Sequence, residues 1–290
     1  MGRLFTVPTA RYPALACGSA RSPNSGPRFE PQDRIIGQNV LVMKRPETEY
    51  VAVGDANVAY QVLGEGPIDL LYCFGLGSNL EYIWEYQPSA DGLRQLSSLG
   101  RLIFFDRRGT GCSDAVPRTA IPTWEEWAED IGAVLDAVGS ERSAIYGQLD
   151  AGALAILYAA LHPDRVTGLV LHNTAARFMA GDDYPFGAAP ETVQMLVEFA
   201  KTNWGTPEWL LAFSPSLAQD PERLSFRTRL FRTSVTPRSA AAQLDYLLRS
   251  IDVRTALPLI QAPTLVLHSV EAPLLPMEHG RYLADHIEGA

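Results

Sequence analysis

The sequence predicts an α/β domain built on a mostly parallel sheet with helices on both faces. Two observations predict it. Short, continuous apolar segments, typical of strands buried on both faces, alternate with longer segments whose apolar residues have helical spacing. That alternation indicates parallel strands joined by right-handed helical crossovers. With 290 residues, 47% of them hydrophobic, the chain is long enough to bury one large core.

The first 45 residues differ from the rest of the chain. They are rich in Pro, Gly, Ser and Arg and have neither helical nor strand periodicity. Such a stretch cannot bury enough apolar area to offset the entropy of ordering it. We therefore expect a disordered segment over 1–45 without packed secondary structure, followed by one domain over 46–290. Met43 is a candidate initiator, and a chain that starts there is expected to fold equally well.

The first half of the domain opens with a hairpin, because Gly54-Asp55 separates two short β-rich runs. Thr123 precedes two glutamates and an apolar helical pattern, which predicts a helix N-cap. Gly139 ends that helix. The predicted elements are a hairpin over 50–62, strands over 69–73 and 101–105, and helices over 82–99 and 124–138.

The second half continues the alternation and contains one long interruption. Strands are predicted over 143–147, 168–172 and 263–268, and helices over 152–161 and 277–287. Residues from about 176 to 256 are helical, aromatic and punctuated by Pro. We expect this block to be a lid over the carboxyl edge of the sheet, where such folds bind ligands.

Composition argues against several classes of partner. The formal net charge is −9, whereas nucleic acids and anionic membranes attract basic patches. The three cysteines, Cys17, Cys73 and Cys112, have no spacing typical of a disulfide framework or a zinc site. No apolar run reaches the ~18 residues of a membrane span, and Pro and Arg interrupt any signal-like core. We expect a cytoplasmic protein without a metal or cofactor.

Four segments occur in an informative order. Residues 74–76 follow the third strand, 105–114 read F-D-R-R-G-T-G-C-S-D, 147–152 form a strand-to-helix turn, and 162–166 lead into the next strand. In this order they resemble the oxyanion loop, the D-x-R-G-x-G-x-S loop and the nucleophile elbow of the α/β-hydrolase superfamily. The resemblance covers about 49–290 and implies the α/β-hydrolase fold with a helical lid. The family's last strand and helix are not found before residue 290.

Three further segments narrow the resemblance. Residues 58–67, 133–142 and 278–287 resemble the actinobacterial hydrolase-like domain that is often fused ahead of a class III adenylate cyclase. No cyclase domain is recognisable in this chain. The narrower resemblance therefore implies only the hydrolase-like half, and one interpretation is that the chain is a truncated piece of such a protein.

The nucleophile position implied by the resemblance is occupied by Leu149. The elbow requires small residues two positions before and after the nucleophile, and Gly147 and Ala151 meet that requirement. Leucine has no lone pair with which to attack a carbonyl. Asp150 is the alternative nucleophile, but centring the elbow there places Gln148 at a crowded position. The favoured interpretation of Asp150 is an acidic residue in the first turn of the next helix.

The other catalytic positions are displaced or absent. Aligning the downstream segment puts Ala272 at the family's acid position and Glu271 one residue earlier, so Glu271 is a degenerate acid candidate. The catalytic histidine belongs after a further strand, and none of the five histidines follows one. They are expected to have structural roles, because a general base must lie within hydrogen-bond reach of its nucleophile.

Two backbone donors survive in this pattern. The N–H groups of Leu76 and Asp150 match the family's oxyanion-hole positions. Five aromatic residues of the lid either line an apolar pocket or pack the lid onto the core: Phe178, Tyr184, Phe186, Trp204 and Trp209.

The sequence therefore favours a catalytically degenerate hydrolase-like protein, either a ligand-binding or regulatory module for a small apolar or ester-like ligand or a remnant of a longer gene. The alternatives are an esterase-like hydrolase that uses Asp150 or Glu271 unconventionally, and the truncated half of an adenylate cyclase. Without a final strand, the strand over 263–268 would lie at an exposed sheet edge, and exposed edges favour association. We therefore expect a chain that is poorly soluble or oligomeric when expressed alone.

Overall fold

The computed structural model describes residues 5–7, 44–270 and 272–290. Eight strands form one sheet in the order β1-β8-β7-β6-β4-β5-β3-β2. β3 is antiparallel to both of its neighbours, and the remaining pairs are parallel. The strands are β1 (Phe5–Val7), β2 (Glu49–Val53), β3 (Ala56–Leu63), β4 (Asp69–Cys73), β5 (Arg101–Phe105), β6 (Ser143–Gln148), β7 (Val166–His172) and β8 (Thr264–Ser269).

Helices cover both faces of the sheet, which confirms the predicted fold class. The α-helices are α1 (Gln87–Ser97), α2 (Trp124–Ala137), α3 (Asp150–Leu161), α4 (Pro190–Asn203), α5 (Pro207–Phe213), α6 (Pro221–Ser234), α7 (Pro237–Ser250) and α8 (Met277–His286). α2 and α3 bury the main core against one face. α1 packs against β3 and β5 on the other face, around Leu93 and Phe104. No helix within the described residues is both long and apolar enough to cross a membrane.

Two local predictions can be compared with the structure. Thr123 caps α2 as expected: its Oγ1 accepts from the Glu126 N–H at 3.2 Å, and Glu126 Oε2 accepts from the Thr123 N–H at 2.7 Å. The single helix expected over 82–99 is wrong. A 3-10 helix, Tyr82–Glu85, ends first, and α1 then begins with Pro88 in its first turn. Proline is tolerated in a first turn and breaks a helix interior.

The N-terminal edge corrects a second expectation. Phe5–Val7 forms a strand parallel to β8, with Phe5 opposite Leu267 and Val7 opposite Ser269. The prediction that 1–45 contains no packed secondary structure is therefore wrong for these three residues. Residues 1–4 and 8–43 lie outside the described residues, so the boundary at 45 and the start at Met43 stay predictions. β8 is not an edge strand in this structure, because β1 occupies that position.

Helices α4 to α7 lie between β7 and β8 and are called the helical insertion below. α6 packs against the 3-10 helix, where Phe226 stacks on Tyr82 and Tyr86 with ring centroids 5.6 and 4.7 Å apart. Phe231 of α6 lies beside Gly77, where a β-carbon would come within 3.0 Å of its ring. The insertion therefore rests on the loop that follows β4, at the carboxyl edge of the sheet.

Candidate functional site

The turn between β6 and α3 has the backbone of a nucleophile elbow. Leu149 lies between the two elements with φ 54° and ψ −125°, a conformation that L-residues rarely adopt. A β-carbon on Gly147 would lie 2.7 Å from Gly152 Cα, so the turn is as crowded as the sequence predicted. The Leu149 N–H donates to the His172 carbonyl at 3.1 Å. The Leu149 side chain is 47% exposed, so the elbow presents a hydrocarbon.

Asp150, the first residue of α3, turns its carboxylate towards the loop after β4. The Leu76 N–H donates to this carboxylate, with distances of 3.2 Å to Oδ2 and 3.3 Å to Oδ1. Arg107 Nη1 donates to Oδ2 at 3.0 Å. Gly75 makes this approach possible, because a β-carbon there would lie 2.2 Å from Asp150 Oδ1. One of the two expected oxyanion-hole donors is thus bound by a carboxylate of the chain itself.

Arg107 is the buried partner of Asp150. It is wholly buried, and its guanidinium lies 4.1 Å from the centroid of the Trp127 ring. Burial lowers the pKa of Arg107, and the charges of Asp150 and Asp130 oppose that shift. Within the described residues, Nε and Nη2 of Arg107 have no hydrogen-bond partner. Asp150 is therefore the one hydrogen-bonding carboxylate of this cation in the described part of the chain.

A second ion pair lies directly beside the first. Arg108 Nε is 2.8 Å from Asp130 Oδ1, and Asp130 is wholly buried. Burial raises the pKa of Asp130 to about 6, although Arg108 opposes the rise. The two adjacent arginines of the polar loop therefore each have a different carboxylate.

Asp106 fixes the loop that carries Leu76. This buried carboxylate accepts hydrogen bonds from the Leu80 N–H at 3.0 Å and the Cys112 N–H at 2.8 Å. Position 111 requires glycine for two reasons. A β-carbon there would lie 1.9 Å from Asp106 Oδ2, and the φ of Gly111 is +60°. Burial raises the pKa of Asp106. Asp106 thereby ties the D-x-R-G-x-G-x-S segment to the loop after β4.

Each of the five imidazoles contacts a partner other than the elbow residues Leu149 and Asp150. In the described part of the chain, none hydrogen-bonds to Leu149 or Asp150 through its ring. The contacts are His162 Nε2 to Glu129 Oε1 at 3.6 Å, His172 Nδ1 to Tyr146 Oη at 2.5 Å, His268 Nε2 to the Leu275 carbonyl at 2.7 Å, His279 Nδ1 to Tyr184 Oη at 2.8 Å, and His286 Nδ1 to the Tyr282 carbonyl at 2.8 Å.

The acid position is described only in part. Glu271 lies outside the described residues, so its assignment as a degenerate acid stays a prediction.

The expected lining of aromatic residues is clearer. Trp204 and Trp209 are buried with ring centroids 5.2 Å apart, and Tyr184 is buried against Phe186 at 4.1 Å. Packing accounts for these side chains, the second of the two interpretations left open by the sequence.

Sequence reasoning missed a row of polar side chains on the face of β6 that carries Tyr146 and Gln148. Tyr72 Oη donates to Gln148 Oε1 at 3.2 Å, and Tyr146 pairs with His172. Burial raises the pKa of Tyr72 and raises that of Tyr146 to about 12. The signal was the period of two in β6, which puts Tyr146 and Gln148 on the same side of the sheet. Both side chains end close to the elbow.

Comparison with known proteins identifies the protein family. The model of the alpha/beta hydrolase fold family matches residues 70–289, and the chain belongs to that family. It is 26% identical over 211 residues to 3-oxoadipate enol-lactonase 1 of Acinetobacter baylyi, covering 71% of this chain and 72% of that protein. It is 26% identical to the serine hydrolase BPHL of Mus musculus, covering 83% and 75% of the two chains.

A solved structure gives the same assignment. The enol-lactonase from Burkholderia xenovorans LB400 superposes with a TM-score of 0.66 at 25% sequence identity, covering 83% of this chain and 89% of that chain. The chain is thus similar in fold and in length to lactonases and hydrolases.

Proposed function

We propose that this chain is a catalytically degenerate member of its family that binds a small apolar or ester-like ligand without turning it over. The observation that carries the proposal is the combination, at Leu149, of a nucleophile-elbow backbone with a hydrocarbon side chain. Leu149 adopts the strained backbone that other members of the fold use to present a nucleophile, yet its side chain is a half-exposed hydrocarbon. A strained turn that presents leucine offers a contact surface rather than an attacking atom.

The position of Asp150 supports this proposal. An oxyanion hole stabilises the negative oxygen that develops in acyl transfer, and its donors must be free to receive that oxygen. Here the Leu76 N–H already donates to the Asp150 carboxylate. A substrate oxygen would have to displace a carboxylate that also neutralises the buried Arg107. Displacement would leave a buried charge without its partner, which is strongly unfavourable.

The second candidate is an active hydrolase with Asp150 as its nucleophile. One observation favours it: the Asp150 side chain is 20% exposed and lies one residue from the elbow. Two observations argue against it. Its carboxylate is engaged by Arg107 and Leu76, and no imidazole in the described residues hydrogen-bonds to it. A covalent intermediate on Asp150 would lack a histidine to activate the water that must release it.

Two narrower proposals rest on sequence pattern alone. The first is kinship with the hydrolase-like domain found ahead of adenylate cyclases, which the reading frame downstream of codon 290 tests. The second is that the helical insertion acts as a lid over the ligand site. Self-association stays a prediction, but the exposed edge at β8 on which it was based is covered by β1.

Restoring the nucleophile tests the proposal. We expect neither the unmodified chain nor Leu149→Ser to hydrolyse p-nitrophenyl butyrate above the buffer rate, and neither to be labelled by a fluorophosphonate probe. Serine at the elbow still lacks a base to take its proton and an acid to orient that base. Circular dichroism would verify that the variant is folded. Enzyme-like hydrolysis by Leu149→Ser would show that the remaining machinery is intact and would contradict degeneracy.

A further inference from the structure

Arg227 of α6 is a cation without a carboxylate partner among the described residues. It lies on α6, and its Nε atom is buried without a hydrogen-bond partner among the described residues. Two other arginines have carboxylate partners: Arg249 of α7 pairs with Asp245 at 2.7 Å, and Arg254, just after the insertion, pairs with Asp252 at 2.7 Å. A buried charge that no carboxylate offsets is costly, so its presence requires an explanation.

The surroundings of Arg227 increase that cost. Burial lowers the pKa of Arg227, and repulsion by Arg223, one helical turn earlier, lowers it further. The remaining described contact is with the Phe231 ring, 5.7 Å from Cζ. An aromatic face attracts a cation weakly compared with a carboxylate. The chain therefore offers a largely buried arginine whose Nε has no hydrogen-bond partner among the described residues, on the side of α6 that carries Phe231.

That side of α6 faces the candidate site. Phe231 lies over Gly77, in the loop that presents the Leu76 N–H. The Arg227 charge acts on the Tyr72 hydroxyl, which donates to Gln148 Oε1. Gln148 directly precedes Leu149, whose side chain is 47% exposed. The face of α6 that carries Arg227 and Phe231, and the exposed Leu149, are thus both adjacent to the contact between Leu76 and Asp150.

From this arrangement we infer that the ligand is an apolar monocarboxylate, whose carboxylate binds Arg227 and whose hydrocarbon chain lies on Leu149. This inference rests on the proposed ligand-binding function and specifies the class of ligand. An arginine fork matches a carboxylate in geometry and charge. The apolar part of the ligand would cover a leucine that otherwise contacts water. A neutral ester would lack the charge that Arg227 requires.

Calorimetry with hexanoate, acetate and methyl hexanoate tests the inference on the full chain. Hexanoate is expected to bind at least tenfold more tightly than methyl hexanoate, because the ester has no charge, and tenfold more tightly than acetate, because acetate has no chain. R227Q should lose at least tenfold in affinity for hexanoate. R229Q is the matched control, because Arg229 lies on the same helix but stacks on Tyr82, 5.5 Å from its ring centroid, and it should bind as the unmodified chain does.

Folding of the variant is checked independently. Removing an unpartnered buried charge should not lower the thermal midpoint of R227Q in the absence of ligand. Equal affinity for hexanoate and its methyl ester, unchanged binding by R227Q, or no binding of hexanoate at millimolar concentration would overturn the inference. Hydrolysis of methyl hexanoate by the unmodified chain would instead overturn the proposed absence of turnover, so the two failures are distinguishable.

Discussion

The Asp150 carboxylate accepts a hydrogen bond from the backbone N–H of Leu76, with Oδ2 3.2 Å from the nitrogen. In an acyl-transfer enzyme of this fold such an N–H receives the developing oxyanion. Here a carboxylate oxygen of the chain takes that place, and Arg107 Nη1 donates to the same carboxylate at 3.0 Å. The pair links the loop after β4 to the start of α3 and gives both carboxylate oxygens a structural role.

Asp150→Ala should destabilise the fold. It leaves the wholly buried Arg107 without its hydrogen-bonding carboxylate, and removing one partner of a buried ion pair costs roughly 3–5 kcal/mol. Because the Asp150 side chain is 20% exposed, we expect about 2–3 kcal/mol in the free energy of unfolding measured in urea. Glu198→Ala removes an exposed ion pair with Lys201 and should change stability by less than about 0.5 kcal/mol. Equal effects of the two substitutions would show that Asp150 contributes no more than a surface pair.

Leu149→Gly should leave the protein at least as stable as the unmodified chain. Glycine loses more backbone entropy on folding, but it adopts φ 54°, ψ −125° without the strain of about 1–3 kcal/mol that an L-residue has there. Met195→Gly is the control, because Met195 is also exposed but lies inside α4. It should lose about 1 kcal/mol. A loss for Leu149→Gly as large as that for Met195→Gly would mean that the elbow is not strained.

The fold was predictable from the sequence because its signals are local. Buried strands, the cap at Thr123 and the small residues around the elbow each follow from a few neighbouring residues. The contact between Asp150 and Leu76 was not predictable, since it joins residues 74 positions apart and depends on the absence of a side chain at Gly75. Arg227 was missed for a similar reason: its lack of a carboxylate partner in the described part of the chain becomes visible only when the helical insertion is placed on the sheet.

The stability of the protein should decrease in mild acid through His279. Burial, with a contribution from the charge of His268, lowers the pKa of His279 to about 4, while the charge of Glu278 opposes the shift. The pKa of an unfolded histidine is about 6.5. The unfolded chain therefore binds the proton first, and stability present above pH ~6.5 is lost as the pH falls towards 4. At pH 5 the loss is about 2 kcal/mol relative to neutral pH.

Comparison with His279→Gln isolates that contribution, because His172, whose pKa is also lowered by burial, is unchanged in the variant. The unfolding free energy of the unmodified chain should fall more steeply between pH 7.5 and 5 than that of the variant. His286→Gln alters an exposed imidazole and should follow the unmodified chain. Parallel curves for the unmodified chain and His279→Gln would contradict the buried, neutral state of His279.

Deleting residues 1–7 should promote self-association. β1 pairs with β8, and its removal turns β8 into an exposed edge with unpaired backbone groups. The deleted chain is expected to elute earlier than the full chain in size-exclusion chromatography with light scattering, and the difference should grow with concentration. Identical elution and identical thermal midpoints would mean that β1 does not protect this edge.

Ester hydrolysis by the unmodified chain, measured beside Asp150→Asn, tests the central claim most directly. The account predicts that both proteins hydrolyse p-nitrophenyl butyrate at the buffer rate, because Leu149 offers no nucleophile and Asp150 is held by Arg107 and Leu76. Turnover by the unmodified chain at about 1 s⁻¹ or faster, within the usual range of enzymes, together with its loss in Asp150→Asn, would identify Asp150 as a working nucleophile and contradict the account.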